Sequence, residues 1–291
     1  METKKTFSFI IPHKNTPDLL QKCLDSIPRR DDVQIIVVDD NSDADRVDFD
    51  HFPGLDDSTV EVYLTKEGRG AGYARNVGLS HATGKWIVFA DADDFFLPEI
   101  TTAMDDFNDS DADVIFFKGI AMNIVDDGVS YRGEEMNRRV DIALKTGDFT
   151  QALTFSSPWK KFFRADFLTF HSITFNEVRW SNDVVFMAKV ARYAEKCLAS
   201  PMEVYCITES SNSLVKCSSL ESQIVRLKEE CKEVCILRHR FKEDKTMHYW
   251  LFRRWFGIYK RSKVVSIRML PYVFRASGWH FIEQVWKAKF E

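Results

Sequence analysis

The sequence has little that would place the chain across a membrane or on a nucleic acid. It lacks an uncharged run of about 18 residues, which a transmembrane helix needs. The apolar run nearest the N-terminus, Phe7–Ile11, is short and meets Pro12, so we expect no secretory signal peptide. The 40 Lys and Arg are outnumbered by 44 Asp and Glu. We therefore expect no nucleic-acid partner.

The six cysteines show neither a zinc motif nor a disulfide framework. None form a C-x-x-C pair, and no His or Cys group completes a zinc set around Cys231 and Cys235. Scattered cysteines of this kind are typical of a reducing compartment, so we expect a cytoplasmic protein. A chain of 291 residues buries about three quarters of its unfolded surface, so it needs neither a disulfide nor a structural metal for stability.

The charge is distributed unevenly along a globular composition of 45% hydrophobic and 29% charged residues. From Arg238 to the end there are 13 Lys and Arg and 4 Asp and Glu, whereas the preceding residues hold 27 and 40. This asymmetry predicts that the basic C-terminal region lies against an anionic surface.

The first hundred residues alternate between strand and helix patterns. Predicted strands lie at 7–11, 33–38, 60–64 and 85–90, and predicted helices begin at Pro17 and span 71–81. This order predicts an α/β fold with a parallel core. Further on, we expect a helix at 98–107, a strand at 114–117, irregular loop and edge strand at 126–147, a helix at 183–196 and only helices after about residue 218.

Acidic residues follow two of these strands, at Asp39–Asp40 and at Asp91–Asp94. Ligands of open parallel sheets bind outside the carboxyl ends of the strands. Carboxylates crowded there attract Mg²⁺ or Mn²⁺, which bridge to phosphates. The D-x-D pattern occurs five times, but only at 91 and 93 does it follow an apolar strand directly. The alternative for these two residues is helix capping ahead of Pro98.

Three other features each allow a structural and a functional interpretation. The glycines between Gly68 and Gly78 form either a flexible turn before a helix or a mobile loop that lets Arg75 reach a diphosphate. Trp159 either packs in the core or forms a wall for a sugar. Asp183 is either the N-cap of an amphipathic helix or a general base held at a helix start.

Taken in order, six segments resemble glycosyltransferase family 2, whose members have the GT-A fold. They are IPHKN (11–15), IVVDDNS (36–42), GYARNVG (72–78), FADADD (89–94), PWKK (158–161) and NDVVF (182–186). The resemblance runs from about Phe7 to Lys216. It implies a Rossmann-like mixed, mainly parallel sheet flanked by helices, with a helical C-terminal extension. The expected catalytic domain is 1–217, with a nucleotide-sugar half (1–97) and an acceptor half (98–217), followed by a basic, aromatic region (218–291).

By this resemblance, six positions receive roles. Asp39 would bind the nucleotide base beside the main chain of Pro12, Arg75 would lie near the diphosphate, Asp91 would hold ribose or metal, Asp93 would coordinate Mn²⁺ or Mg²⁺, and Asp183 would be the catalytic base. Asn182 departs from the family pattern, because it replaces the Glu of the usual Glu-Asp pair.

The function implied is inverting transfer from a nucleotide-sugar donor, expected to be a UDP-sugar, to a saccharide or lipid-linked saccharide acceptor in surface polysaccharide synthesis. Two alternatives stay open, a sugar nucleotidyltransferase and a non-catalytic carbohydrate-binding protein. A nucleotidyltransferase would need a glycine-rich, basic loop after the first strand, where this chain has Pro12 to Pro17.

The C-terminal helices carry basic and aromatic residues together. One helical face carries four cations and also includes Trp250; the cations are Arg253, Arg254, Lys260 and Arg261. Such helices either pack on the body, leaving their charges solvated, or contact another subunit, or lie in a membrane interface. The last interpretation predicts a peripheral location at the inner face of the cell membrane.

Overall fold

The computed structural model describes residues 5–123, 132–209, 217–241 and 245–283. The strands are β1 (Phe7–His13), β2 (Val33–Asp40), β3 (Val60–Thr65), β4 (Trp86–Phe89), β5 (Phe95–Phe96), β6 (Val114–Asn123), β7 (Lys161–Arg164) and β8 (Cys197–Glu209). The helices are α1 (Pro17–Asp25), α2 (Ala71–His81), α3 (Glu99–Phe107), α4 (Arg132–Thr146), α5 (Thr150–Leu153), α6 (Ala165–Phe170), α7 (Asn182–Tyr193), α8 (Leu220–Leu237), α9 (Lys245–Arg261) and α10 (Lys263–Ser277).

Within these residues the strands form one mixed sheet in the order β3-β2-β1-β4-β7-β6-β8-β5. The four strands of the N-terminal half run parallel, as predicted. Every residue of β1 and β2 is buried, which is why residues 9–11 and 35–38 are continuous apolar runs in the sequence. The register pairs Pro12 with Val38 and His13 with Asp39. It therefore brings the polar ends of β1 and β2 side by side.

The second half of the sheet differs from the sequence-based prediction. β7 runs antiparallel to both β4 and β6, and the long strand β8 lies parallel to β6; neither β7 nor β8 was predicted. The helix expected at 183–196 ends at Tyr193, because Ala194 is already extended. β8 then begins at Cys197.

The prediction of irregular loop and edge strand at 126–147 is wrong for the part that the structure describes. Residues 132–146 form α4, while 124–131 lie outside the described residues. The helix is largely polar, but Met136, Val140 and Ala143 recur at helical spacing and are buried. This apolar stripe indicates a helix, but it was overlooked because most residues of the segment are polar.

The helices that follow residue 217 were predicted correctly as helices. They share a small hydrophobic core of their own, which includes Leu227, Leu251, Ile258 and Val273. The end of α8 also joins the core of the body, where Leu237 packs in the cluster around α7. The domain boundary at 217 stays a prediction.

Candidate active site

The carboxyl ends of β1 and β2 are joined by a buried network around Asp39. Its Oδ1 accepts hydrogen bonds from His13 Nδ1 at 2.7 Å and Ser42 Oγ at 2.5 Å, and its Oδ2 accepts one from Ser42 N at 2.8 Å. Because Thr16 N donates to His13 Nε2, the imidazole proton lies on Nδ1. Burial alone would raise the pKa of Asp39, but the bonds from His13 and Ser42 hold it below its usual value.

The next residue, Asp40, has a carboxylate oxygen without a partner. Its Oδ2 accepts a hydrogen bond from Gly70 N at 2.8 Å, but its buried Oδ1 has none among the described residues. Lys14 Nζ lies 3.9 Å from Oδ2 and donates to the Asp40 carbonyl. Burial raises the pKa of Asp40. A buried oxygen left in this way is a natural acceptor for a ligand N–H.

Three carboxylates gather after β4, as the sequence predicts for 91 and 93. One oxygen from each of Asp91, Asp93 and Asp94 lies within 4.8 Å of the others. The carboxylate of Asp94 is held by Tyr205 Oη at 2.9 Å and Thr208 N at 2.7 Å. Asp94 therefore has a structural role that the sequence did not reveal.

Asp91 and Asp93 are left as the pair that could bind a cation. Burial, together with the negative charge of Asp91, raises the pKa of Asp93 to about 6. A divalent ion would relieve this repulsion, and carboxylate oxygens are the ligands that Mg²⁺ and Mn²⁺ prefer. The residues therefore fit the predicted metal. Helix capping is not their role, since α3 has Pro98 at its cap position.

Arg75 connects this acidic group to the start of α7. Arg75 is 6% exposed, and its guanidinium donates from Nη2 to Asp91 Oδ1 at 2.5 Å and from Nη1 to Asn182 Oδ1 at 2.8 Å. It also lies over the Phe175 ring, 5.2 Å from its centroid. In this structure Arg75 therefore joins the two parts of the site, and its predicted contact with a diphosphate stays a prediction.

Asp183 lies in the first turn of α7, beside the residue that Arg75 holds. The cap position of this helix belongs to Ser181, which has a φ of 56°, so Asp183 is not the N-cap. Burial raises the pKa of Asp183; the positive charge of Arg75 opposes this effect, and the negative charge of Asp91 adds to it. Asp183 therefore shares an electrostatic environment with the acidic group after β4.

The glycine-rich turn packs against the segment that leads to Asp183. Gly68 and Gly70 have φ values of 60° and 94°, so a turn precedes α2, as both interpretations require, and the mobile loop stays a prediction. At Gly72 a Cβ would lie 2.3 Å from the Asn176 carbonyl oxygen and 3.0 Å from Asn182 Cβ. Only a residue without a side chain allows α2 to approach this closely.

Trp159 packs in the core. It is 5% exposed and stacks on Tyr205 with ring centroids 6.0 Å apart. Tyr205 in turn bonds the Asp91 backbone N–H and the Asp94 carboxylate. This supporting role went unnoticed in the sequence because β8 was not recognised as a strand.

Comparisons with known proteins agree with this geometry. The family model described as Glycosyl transferase family 2 matches residues 8–171. A poly(ribitol-phosphate) beta-glucosyltransferase of Bacillus spizizenii is 29% identical over 66% of this chain and 30% of its own length. A GalNAc(5)-diNAcBac-PP-undecaprenol beta-1,3-glucosyltransferase of Campylobacter jejuni is 29% identical over 65% of this chain and 60% of its own. The chain thus spans less than two thirds of either relative.

Among solved structures, TarS of S. aureus (residues 1–349) in complex with UDP-GlcNAc superposes with a TM-score of 0.64 at 18% identity. The match covers 94% of this chain and 80% of that one. At this identity the likeness shows the fold, which confirms the predicted GT-A architecture with its C-terminal helices.

Proposed function

We propose, from the premise that this chain belongs to glycosyl transferase family 2, that it moves a sugar from a UDP-sugar to a saccharide or lipid-linked saccharide acceptor with inversion at the anomeric carbon. The observation that carries the proposal is the link through Arg75, which brings the acidic pair after β4 and the start of α7 into one site. The named substrates of the relatives, a ribitol-phosphate polymer and an undecaprenol-linked saccharide, support acceptors of a surface polymer pathway.

The uridine base is proposed to lie at the ends of β1 and β2, beside Pro12. Uracil presents an N3–H donor between two carbonyl acceptors. Asp40 Oδ1 is buried without a partner and would accept that N–H, and the ammonium of Lys14 close by would donate to a carbonyl. The base contact predicted for Asp39 stays a prediction. Asp40 is the stronger candidate, because both oxygens of Asp39 already accept hydrogen bonds.

Asp93, with Asp91, would hold Mn²⁺ or Mg²⁺ together with the diphosphate. When bound, such an ion stabilises the negative charge that the nucleoside diphosphate gains as it leaves. The protein's own contribution is to keep the two carboxylates in place, through Arg75 on Asp91 and through the bond from Thr208 Oγ1 to the Asp93 carbonyl oxygen.

Asp183 is proposed to accept the proton of the attacking acceptor hydroxyl. A hydroxyl is a poor nucleophile until a carboxylate takes its proton, and burial makes this carboxylate a stronger base. A single displacement inverts the anomeric carbon without a covalent intermediate. Asn182, which stands where the family has Glu, serves here as the acceptor for Arg75.

The proposal is tested by thermal unfolding with a panel of nucleotide sugars. With Mn²⁺ present, a UDP-sugar at about 100 times its Kd should add about 2.7 kcal/mol to the free energy of unfolding, whereas CDP- and GDP-sugars at the same concentration should add less. EDTA, or the substitution Asp93→Asn, should remove most of the gain. If no UDP-sugar raises the Tm, the proposed donor is wrong. If EDTA leaves the thermal shift unchanged, the proposed metal dependence is wrong.

A further inference from the structure

Helix α10 is apolar on two opposite sides. Met269 and Val273 lie on its inner side and are buried in the C-terminal core. Val264, Ile267 and Phe274 fall within an arc of about 80° at 100° per residue on the opposite side, and one edge of this arc meets the core where the Phe274 ring contacts Phe281, with ring centroids 5.5 Å apart. They are 62%, 63% and 42% exposed. An apolar stripe of this kind is uncommon on a helix whose other side already packs.

Cations border this stripe on both sides. At helical spacing, Lys263 falls next to Phe274, and Arg268 and Arg275 fall next to Val264; all three cations are exposed. Helix α9 adds further exposed cations, and neither α9 nor α10 contains an Asp or Glu. In the described residues beyond α10 there is one carboxylate, Glu283, which lies 3.6 Å from His280.

Exposed aromatic side chains accompany the cations. Trp250 on α9 is 57% exposed, and Trp279, just after α10, is 79% exposed. The guanidinium of Arg253 lies over the Trp250 ring, 5.3 Å from its centroid. Tryptophan with neighbouring Arg or Lys is typical of the boundary between lipid headgroups and acyl chains.

We propose that this outward face, formed by Val264, Ile267, Phe274 and the cations beside them, binds the surface of an anionic membrane. The apolar stripe would enter the boundary of headgroups and acyl chains while Lys263, Arg268 and Arg275 contact anionic headgroups. In the described residues no helix has the length and apolar character needed to cross a bilayer, so the helix would lie in the plane of the interface.

The positive charge of this face favours an anionic membrane over a second copy of the chain as its partner. A two-fold contact through the same face would bring its cations against one another without a carboxylate from α9 or α10 between them. An anionic bilayer supplies the opposite charge over a wide area. If the proposed function holds, this location would place the site beside lipid-linked acceptors, but the binding itself does not depend on that function.

The test is co-sedimentation of the full chain with vesicles of phosphatidylcholine alone or with about one third phosphatidylglycerol. We expect binding to the anionic vesicles that weakens as salt rises. Substituting Ile267→Ser should weaken it about tenfold through lost apolar burial. Each of Lys263→Gln and Arg268→Gln should weaken it about fivefold. The matched control is Phe170→Ser on α6, where Phe170 is 83% exposed, and it should bind like the wild type.

These substitutions lie at exposed positions, and circular dichroism should show unchanged folding. Three outcomes would overturn the proposal. The first is that the full chain does not sediment with anionic vesicles even at low salt. The second is that Ile267→Ser leaves the affinity for these vesicles unchanged. The third is that the chain forms a dimer that Ile267→Ser dissociates, which would assign this face to a second copy. Because UDP binding is measured separately, failure here leaves the proposed transferase function standing.

Discussion

Asp39 and Asp40 are neighbours in the chain, but their carboxylates have different surroundings. Asp39 accepts bonds from His13 and Ser42 and thereby fixes the turn after β2. Asp40 is fixed through Oδ2 by Gly70 N, while its buried Oδ1 accepts no hydrogen bond from any residue that the structure describes. The difference is why the proposed function gives Asp39 a structural role and gives Asp40 the contact with the base.

Substitution by Asn distinguishes these two roles. We expect Asp40→Asn to weaken UDP binding about tenfold or more, because an amide cannot pair equally well with the N3–H of uracil, and to leave the Tm nearly unchanged. Asp39→Asn should lower the Tm, because it weakens three buried hydrogen bonds. Calorimetric titration with UDP and thermal unfolding measure both effects. The reverse pattern, with UDP affinity lost only in Asp39→Asn, would restore the original assignment of the base contact.

Lys160 gives the protein a dependence of stability on pH. It is 5% exposed, and burial lowers its pKa to about 7, with the charge of Glu203 opposing. Between about pH 7 and its ordinary value of 10.5, the folded chain binds fewer protons than the unfolded chain. The free energy of unfolding therefore gains up to about 1.4 kcal/mol per pH unit as pH rises through this window.

The comparison is with Lys160→Met, a side chain of similar length that keeps the same backbone conformation. The variant should be more stable than the wild type near pH 7, and the difference should shrink steadily towards pH 10. Urea unfolding at several pH values measures it. A difference that stays constant across this range would contradict the account, because it would show that Lys160 keeps its ordinary pKa and its charge in the folded chain.

Helix α2 and the segment before α7 meet at a contact that has no room for a side chain. Substituting Gly72→Ala would place a methyl group 2.3 Å from the Asn176 carbonyl oxygen, so we expect a lower Tm. The displaced segment should also move Asn182 from Arg75 and reduce kcat about tenfold or more. Gly257→Ala is the control, since a Cβ there would meet no described atom within 4 Å apart from its chain neighbours and the backbone of its own helix. It should stabilise α9 by up to about 1 kcal/mol. Equal behaviour of the two variants would contradict this account.

The strands that were predicted from the sequence show a continuous apolar run or a regular alternation. β2 is entirely buried and apolar throughout 35–38, and the partly buried β3 begins with the alternation Val60-Glu61-Val62. β8 contains Ser200 and Pro201, and its pairing with β6 shifts register between Phe116 and Lys118, so it shows no regular pattern. Missing β8 also hid Tyr205 and Thr208, which anchor the Asp94 carboxylate.

For the candidate site, the sequence indicated which carboxylates follow β4, and the family resemblance indicated Asp183. The sequence could not show that Arg75 joins Asp91 to Asn182, because these partners lie 16 and 107 positions away from Arg75 along the chain. Nor could it show which of Asp39 and Asp40 keeps a free oxygen, because that depends on the position of Gly70 and Ser42 in the folded chain.

The whole chain combines an acidic body with a basic C-terminal region. Its parallel half presents the proposed donor site, and α7 brings Asp183 to it. The helices after residue 217 have a core of their own while α8 packs on α7. In the proposed arrangement, the body carries out the chemistry and α10 holds it at the surface where the acceptor is anchored.

The measurement that tests this account most directly is UDP release from the UDP-sugar that gives the largest thermal shift, in the wild type and in Asp183→Asn. Asn keeps the size of the side chain but cannot take a proton. We predict that kcat falls about 10²-fold or more, while the Kd for UDP with Mn²⁺ and the Tm stay at wild-type values. UDP release by Asp183→Asn at a rate close to that of the wild type would contradict the assignment of Asp183 as the base.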